Sequence, residues 1–216
     1  MTVLPFLTPA DRAAAVPMVR AHLVAGGLLA YPTETVYGLG SRARDADVAA
    51  LSALKGRAPG KPFLLLVASR LMAEHAGLVF SAAANALAEA FWPGPLTLIL
   101  PGGGRLPATL CGPEGGFAVR WTSHAGVAAL LGQLGEPLTS TSANKPGGPT
   151  APGVGAIEDA FADAVARGTL LILDGGVLGN VPPSTIVDCT GPRPRMVREG
   201  ALPRTELQRR VGRWAP

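Results

Sequence analysis

Lys55, Arg57 and Lys61 stand at spacings of two and four in Lys55-Gly56-Arg57-Ala58-Pro59-Gly60-Lys61, within a chain of three lysines and sixteen arginines. Lysine supplies a compact point charge and arginine a planar fork, so the mixture suits a polyphosphate whose oxygens must be met from several directions. A solvated basic turn at the end of a helix, where cations offset the dipole, has the same composition. The third lysine, Lys145, follows Ser140-Thr141-Ser142-Ala143-Asn144, whose hydroxyl and amide groups make neutral hydrogen bonds and do not act as strong bases. Such a run is also a common turn composition. In Tyr31-Pro32-Thr33-Glu34-Thr35-Val36-Tyr37-Gly38-Leu39-Gly40, two threonine hydroxyls, one carboxylate and two glycines could line a small polar pocket, with glycine allowing close backbone approach. Capping of a following helix by Thr33 or Thr35 is the alternative. Pro183-Ser184-Thr185-Ile186-Val187-Asp188 and Val197-Arg198-Glu199-Gly200 complete five polar segments.

Familiar signatures are missing. There is no Walker-type loop, no Gly-x-Gly-x-x-Gly behind the first strand and no Gly-x-Ser-x-Gly elbow, so phosphate must be met by side chains from separate loops.

The elements that would position these segments alternate. Thr8 as cap and Pro9 as first helical residue open a helix that runs to Gly26-Gly27. Residues 28–31 read as a strand, and 45–55 carry Val48, Leu51 and Leu54 on a helical period ending at Gly56. The run 63–67 is continuously apolar, as in a strand buried on both faces. Helices are expected over 81–90, 124–134, 156–167 and 204–213, and strands over 96–100, 117–121, 137–141, 170–174, 185–189 and 195–198. This alternation predicts an α/β domain, with each polar segment just beyond a strand, where α/β proteins bind ligands.

Composition bounds the class. With 216 residues, 48% hydrophobic and 16% charged, the chain can bury a full core, and one domain over 1–216 is expected. No apolar run approaches the length of a membrane span, and the first residues lack a basic region followed by an apolar one, so a cytoplasmic location is expected. Cys111 and Cys189 fit neither a disulfide framework nor a metal site, and no protein-bound metal is expected. The net charge of +4 is concentrated at the end, where seven arginines crowd the last 24 residues, a footprint for nucleic acid or nucleotide or else a solvated helix.

Taken in order, these segments resemble the YrdC-like family of threonylcarbamoyl-AMP synthases over about residues 10–202. The resemblance rests on Tyr-Pro-Thr-Glu-Thr-Val-Tyr-Gly-Leu-Gly at 31 to 40, Lys-Gly-Arg-Ala-Pro-Gly-Lys-Pro at 55 to 62 and Trp-Pro-Gly-Pro-Leu-Thr at 92 to 97. Ala-Val-Arg at 118 to 120, Thr-Ser-Ala-Asn at 141 to 144, Ser-Thr-Ile-Val-Asp at 184 to 188 and Arg-Glu-Gly at 198 to 200 add to it. Each motif is weak alone; the ordered set is specific. It implies a twisted open mixed sheet with flanking helices and a concave basic face. It also implies the use of ATP, L-threonine and bicarbonate to make threonylcarbamoyl-adenylate and pyrophosphate, with magnesium carried by the nucleotide. That product feeds threonylcarbamoyladenosine modification of tRNA beside the anticodon, normally through a partner transferase.

By this resemblance Lys55 and Arg57 are catalytic. Lys55, Arg57, Lys61, Asn144, Thr150 and Arg198 contact ATP, while Arg120 holds the threonine carboxylate and Thr33 or Thr35, Ser142 and Ser184 receive its polar groups. An arginine within an apolar strand also needs an anionic partner on physical grounds, which supports Arg120. Catalysis would come from positioning and cations without a classical general base. Two positions depart from the family pattern: many relatives carry histidine or another polar residue near Leu66, and many have glutamate at Pro183, which bears on the choice of amino acid. The chain resembles the short members without an additional C-terminal domain. A non-catalytic surface for double-stranded RNA or tRNA is the alternative reading, and a carbamoyl-adenylate enzyme with another acceptor is a third.

Overall fold

Caps and periodicity account for the helices of the computed structural model, which describes residues 2–57, 61–102, 104–113, 115–179, 181–212 and 214–215. Residues 58–60 of the lysine/arginine loop lie outside the described residues. Helix α1 (Pro9–Val24) opens with a reciprocal capping box between Thr8 and Asp11, with Pro9 at its start. Helices α2 (Asp45–Lys55), α3 (Arg70–His75), α4 (Ala82–Phe91) and α5 (Ala125–Leu134) follow. Ser69, Ser81 and His124 cap the last three, each accepting a backbone N–H from the first turn. Helices α6 (Val154–Ala160), α7 (Ala162–Ala166) and α8 (Arg204–Gln208) complete the set.

The strands are β1 (Val3–Pro5), β2 (Leu28–Tyr31), β3 (Gly38–Gly40), β4 (Leu64–Val67), β5 (Leu96–Pro101), β6 (Gly116–Trp121), β7 (Leu138–Ser142), β8 (Leu170–Asp174), β9 (Thr185–Asp188) and β10 (Arg195–Arg198). They form one mixed sheet in the order β1-β8-β2-β3-β7-β4-β6-β5-β9-β10. Alternation along each strand divides it into two faces. Leu28, Ala30, Leu39, Leu65, Val67, Leu96, Leu98, Val119, Ile172 and Val187 pack on one face, against Leu51 of α2, Leu87 of α4, Ile157 of α6 and Leu207 of α8. Only part of the other face is covered. Leu29, Tyr31, Leu66, Leu138, Leu171 and Leu173 lie under Val19 and Leu23 of α1 and Val127, Leu130 and Leu131 of α5. The rest of that face, over β3, β7, β4, β6, β5 and β9, carries the cleft described below.

The connection from β8 to β9 follows from this order. Strands β8 and β9 run in the same direction with six strands between them, so residues 175–184 lead from the end of one to the opposite edge of the sheet, where the other begins. Val181, Pro182 and Pro183 of this connection line the cleft.

Several elements differ from the sequence expectation. Strand β3 lies within the segment read as a polar loop; two of its three residues are glycine, so no β-propensity marks it. Its glycines admit the Tyr31 ring, because a Cβ on Gly40 would come within 2.8 Å of the Tyr31 hydroxyl and 2.2 Å of the Thr139 carbonyl. Strand β1 and helix α3 were not expected. The helix expected over 156–167 starts at Val154 and breaks at Phe161, whose φ of −129° is not helical. The terminal helix is confined to Arg204–Gln208, and the chain after it packs back through buried Val211 and the Ala215 N–H bonded to Pro194 O.

Candidate active site

A cleft of about 670 Å³ opens on the uncovered part of the sheet. Its floor is set by register. Leu64 pairs with Ser140, Gly38 with Ser142, Ile99 with Ala118 and Thr97 with Ile186, so Leu64, Ser140, Gly38, Ser142, Ala118, Thr97 and Ile186 all point to one side. Arg120, in register with Leu66 on β4, points the same way at the boundary with the α1/α5 layer.

Of the eleven residues expected at the site, eight line the cleft: Thr33, Thr35, Arg57 and Arg120, together with Ser142, Thr150, Ser184 and Arg198. Arg57 is held by its own loop. Its Nε donates to Lys61 O at 2.7 Å and one terminal nitrogen to Pro62 O at 2.8 Å, while the guanidinium stacks 4.6 Å from the Phe63 ring centroid. The other terminal nitrogen reaches Thr141 Oγ1 at 3.3 Å. Arg198, the last residue of β10, donates to Ser184 O at 2.8 Å.

Three residues stand off the cleft wall. Lys61 is exposed and contributes its carbonyl to Arg57. Lys55 is buried at the end of α2, and its ammonium donates to Ser142 O at 2.6 Å, to Asn144 O at 2.5 Å and to Asn144 Oδ1. All three of its N–H donors are thereby used, so Lys55 tethers the 142–144 turn and presents no free donor to a phosphate in this state. Burial, with Arg57 and Lys145 nearby, pushes its pKa down to about 8, against the pull of those three acceptors. Asn144 is equally engaged: Oδ1 also accepts from Ser142 Oγ at 2.7 Å, and Nδ2 donates to Gly148 O at 2.5 Å.

Thr33 and Thr35 play different parts. Thr33 Oγ1 donates to Val36 O at 2.6 Å and accepts the N–H groups of Thr35 and Val36, which saturates it within its own turn. It caps a turn leading into β3, and no helix. Thr35 Oγ1 faces Arg120, accepting from its NH1 at 3.3 Å. Arg120 is buried, and the nearest carboxylate is Glu34, with Oε1 3.5 Å from NH1 but without hydrogen-bond geometry. Burial lowers the Arg120 pKa, and the Glu34 charge opposes that.

Sequence reasoning passed over four contributors. Thr97 Oγ1 lies 2.9 Å from Ser184 Oγ, a buried hydroxyl pair at the cleft floor. Ser140 sat in the hydroxyl run without being singled out. Thr185 Oγ1 accepts the N–H groups of Gly200 and Leu202 and donates to Leu202 O, pinning the segment after Arg198. A Cβ on Gly200 would strike Pro183 O at 2.2 Å, so the Ser-Thr and Arg-Glu-Gly motifs fit together only with glycine there. The visible signal for Thr97 and Ser140 was a hydroxyl at an alternate position of an otherwise apolar strand. Leu66, whose identity was expected to bear on the ligand, is fully buried in the α1/α5 layer and does not line the cleft, whereas Pro183 does.

Three guanidiniums, those of Arg57, Arg120 and Arg198, stand around a cleft of this α/β protein that is otherwise lined by hydroxyl and apolar groups, a composition suited to more than one anionic group. The chain belongs to the Sua5/YciO/YrdC family, described as "Telomere recombination", whose model matches residues 21–200. It is 35% identical over 189 residues to the threonylcarbamoyl-AMP synthase of Pyrococcus abyssi, covering 87% of this chain and 54% of that one, about half its length. It is 39% identical over 170 residues to the threonylcarbamoyl-AMP synthase of Chromobacterium violaceum, covering 78% of this chain and 86% of the relative. Among solved structures, P. abyssi Sua5 complexed with L-threonine superposes with a TM-score of 0.88 at 30% identity, covering 98% of this chain and 61% of that one. E. coli YciO does so with a TM-score of 0.79 at 27% identity, covering 92% and 94%.

Proposed function

We propose that this chain is a threonylcarbamoyl-AMP synthase. The observation that carries the reading is the meeting of Arg57, Arg120 and Arg198 with the hydroxyls of Thr35, Thr97, Ser140 and Ser184 in one cleft. In the reaction, the amine of L-threonine and bicarbonate give a carbamate and water. A carbamate oxygen then attacks the α-phosphorus of ATP, forming threonylcarbamoyl-adenylate as the bond to pyrophosphate breaks. Arg57 and Arg198 take the phosphates and Arg120 the threonine carboxylate, with the Thr97–Ser184 pair and Thr35 meeting neutral polar groups. Lys55 and Asn144 shape the 142–150 segment, and Thr150 approaches the nucleotide from it; Lys61 adds positive charge at the entrance. Magnesium arrives as part of the nucleotide. Catalysis comes from orientation and from fixed positive charge facing the phosphates where negative charge accumulates.

We place the reaction in the cytoplasm, with the adenylate passed to a tRNA-modifying transferase; among the described residues no helix is long and apolar enough to cross a membrane. The test is pyrophosphate release from ATP by the purified chain, with L-threonine and bicarbonate supplied together and each omitted in turn. Release that needs both is expected, and release indifferent to threonine, or none, overturns the reading. Direct contact with tRNA or double-stranded RNA is the second reading, favoured by the exposed Arg193, Arg204, Arg209 and Arg210. A steep fall of RNA affinity with salt, independent of Arg57 and Arg120, would support it.

A further inference from the structure

The three arginines of the cleft differ in their company. Arg57 is bonded to two carbonyls and a hydroxyl, and Arg198 to one carbonyl, whereas Arg120 alone stands beside a carboxylate among the described residues. That ion pair is unlike the others described. Arg42–Glu136, Arg70–Glu74 and Arg195–Asp188 close at 2.7, 2.8 and 2.9 Å, but Arg120–Glu34 stays at 3.5 Å. Both Arg120 Nε and Glu34 Oε1 are buried without a hydrogen-bond partner among the described residues. Two orphaned groups of opposite sign beside one cleft are costly to keep unless a ligand meets them.

Glu34 is also fixed in place. Its Oε2 accepts from Thr122 Oγ1 at 2.6 Å, and Thr122 Oγ1 in turn accepts from the N–H of His124, the cap of α5. The carboxylate is thus anchored to the covered half of the sheet and faces a guanidinium of the open half.

We propose that Glu34 is a specificity-determining residue that makes Arg120 a site for an α-amino acid zwitterion and turns other anions away. This rests on the reading above, in which an amino acid binds at Arg120. A carboxylate beside the guanidinium offsets its attraction for a second anion, in a buried setting where charges are poorly screened. A ligand that carries an ammonium on the carbon next to its carboxylate regains that loss, because the same field favours its positive charge. The two anionic ligands are thereby sorted: triphosphate is repelled from Arg120 and goes to Arg57 and Arg198, whose hydrogen-bond partners among the described residues are carbonyls and a hydroxyl. Glu34 acts here through its field and through the orientation of Arg120.

The test is calorimetric titration of the full chain with L-threonine, with 3-hydroxybutanoate, which lacks only the amine, and with pyrophosphate. The unaltered protein should prefer threonine to 3-hydroxybutanoate. In Glu34→Gln, which keeps an oxygen for Thr122 but no charge, that preference should fall by about tenfold or more, with 3-hydroxybutanoate and pyrophosphate binding more tightly. Glu34→Asp should restore part of it. Thr122→Val, which cuts the hydrogen bond but leaves the charge, should shift the preference less than Glu34→Gln. An unchanged preference in Glu34→Gln, with threonine still bound, overturns the role of Glu34 alone. So does an equal shift in Thr122→Val without rescue by Asp, which would mark a purely structural residue. Failure of the unaltered protein to bind threonine overturns the amino-acid reading and this inference with it.

Discussion

One face of the sheet holds two populations at equivalent positions in the same register. Where α1 and α5 lie over it, the inward positions are Leu29, Leu66, Leu138, Leu171 and Leu173. Where no described helix lies over it, they are Ala118, Arg120, Ser140, Ser142 and Thr97. The pairs are immediate neighbours: Leu66 is in register with Arg120, and Leu138 and Ser140 are two residues apart on β7. The covered half therefore reads as stability and the open half as chemistry, and exchange of residue type between them should separate the two.

The largest effect is expected inside the covered half. Leu131→Ala removes a fully buried side chain of α5 and should cost about 3 kcal/mol in urea unfolding, leaving the KM for threonine unchanged. A shifted KM would mean that the α1/α5 layer reaches into the cleft. The converse exchange is Arg120→Leu, which gives the open half the residue type of its neighbour. Threonine-dependent pyrophosphate release should fall about a hundredfold or more, close to 2.7 kcal/mol of transition-state binding. Stability should fall as well, because Glu34 then lacks its cation, so turnover is read on protein shown to be folded by circular dichroism. Wild-type turnover in this variant would remove Arg120 from the site.

Within the open half, Arg57→Ala should lower kcat/KM for ATP about tenfold or more, about 1.4 kcal/mol, while the affinity for threonine stays within about twofold. An effect on threonine instead would reverse the division between the arginines. A smaller effect concerns Lys55, whose pKa is lowered from the ordinary 10.5 to about 8. The unfolded chain then binds more protons between about pH 8 and 10.5, so the contribution of this group to stability rises with pH through that window, and below it the buried charge is a cost. Activity should move the opposite way. The neutral amine has one donor fewer for Ser142 O, Asn144 O and Asn144 Oδ1, so turnover should decline above about pH 8, and Lys55→Met should lack that decline. A pH–rate profile of the same shape in both proteins would show that Lys55 does not set it.

The same contrast explains how far the sequence could be read. Strands such as 64–67 and 170–174 and helices such as 45–55 announced themselves through apolar runs, periods and caps, because packing dictates those residues. Strand β3 did not, since Gly38 and Gly40 are chosen for the Tyr31 ring laid against them, a long-range reason invisible in a local pattern. At the cleft, Arg57 stands out in sequence as part of a basic loop after a helix, Arg120 as a cation inside an apolar strand, and Ser184 and Arg198 as polar groups at strand ends. The tether role of Lys55 was hidden, because its acceptors lie 87 and 89 residues away, and so was the pinning of the Arg198 segment by Thr185. The division of labour between Thr33 and Thr35 turns on which hydroxyl its own turn consumes, and spacing alone does not say.

The measurement that bears most directly on the division of the cleft is a crystal structure of the chain with L-threonine and a non-hydrolysable ATP analogue bound together. We expect the threonine carboxylate on Arg120, beside Glu34, and the triphosphate between Arg57 and Arg198. A triphosphate seated on Arg120, or threonine bound away from it, would contradict the assignment.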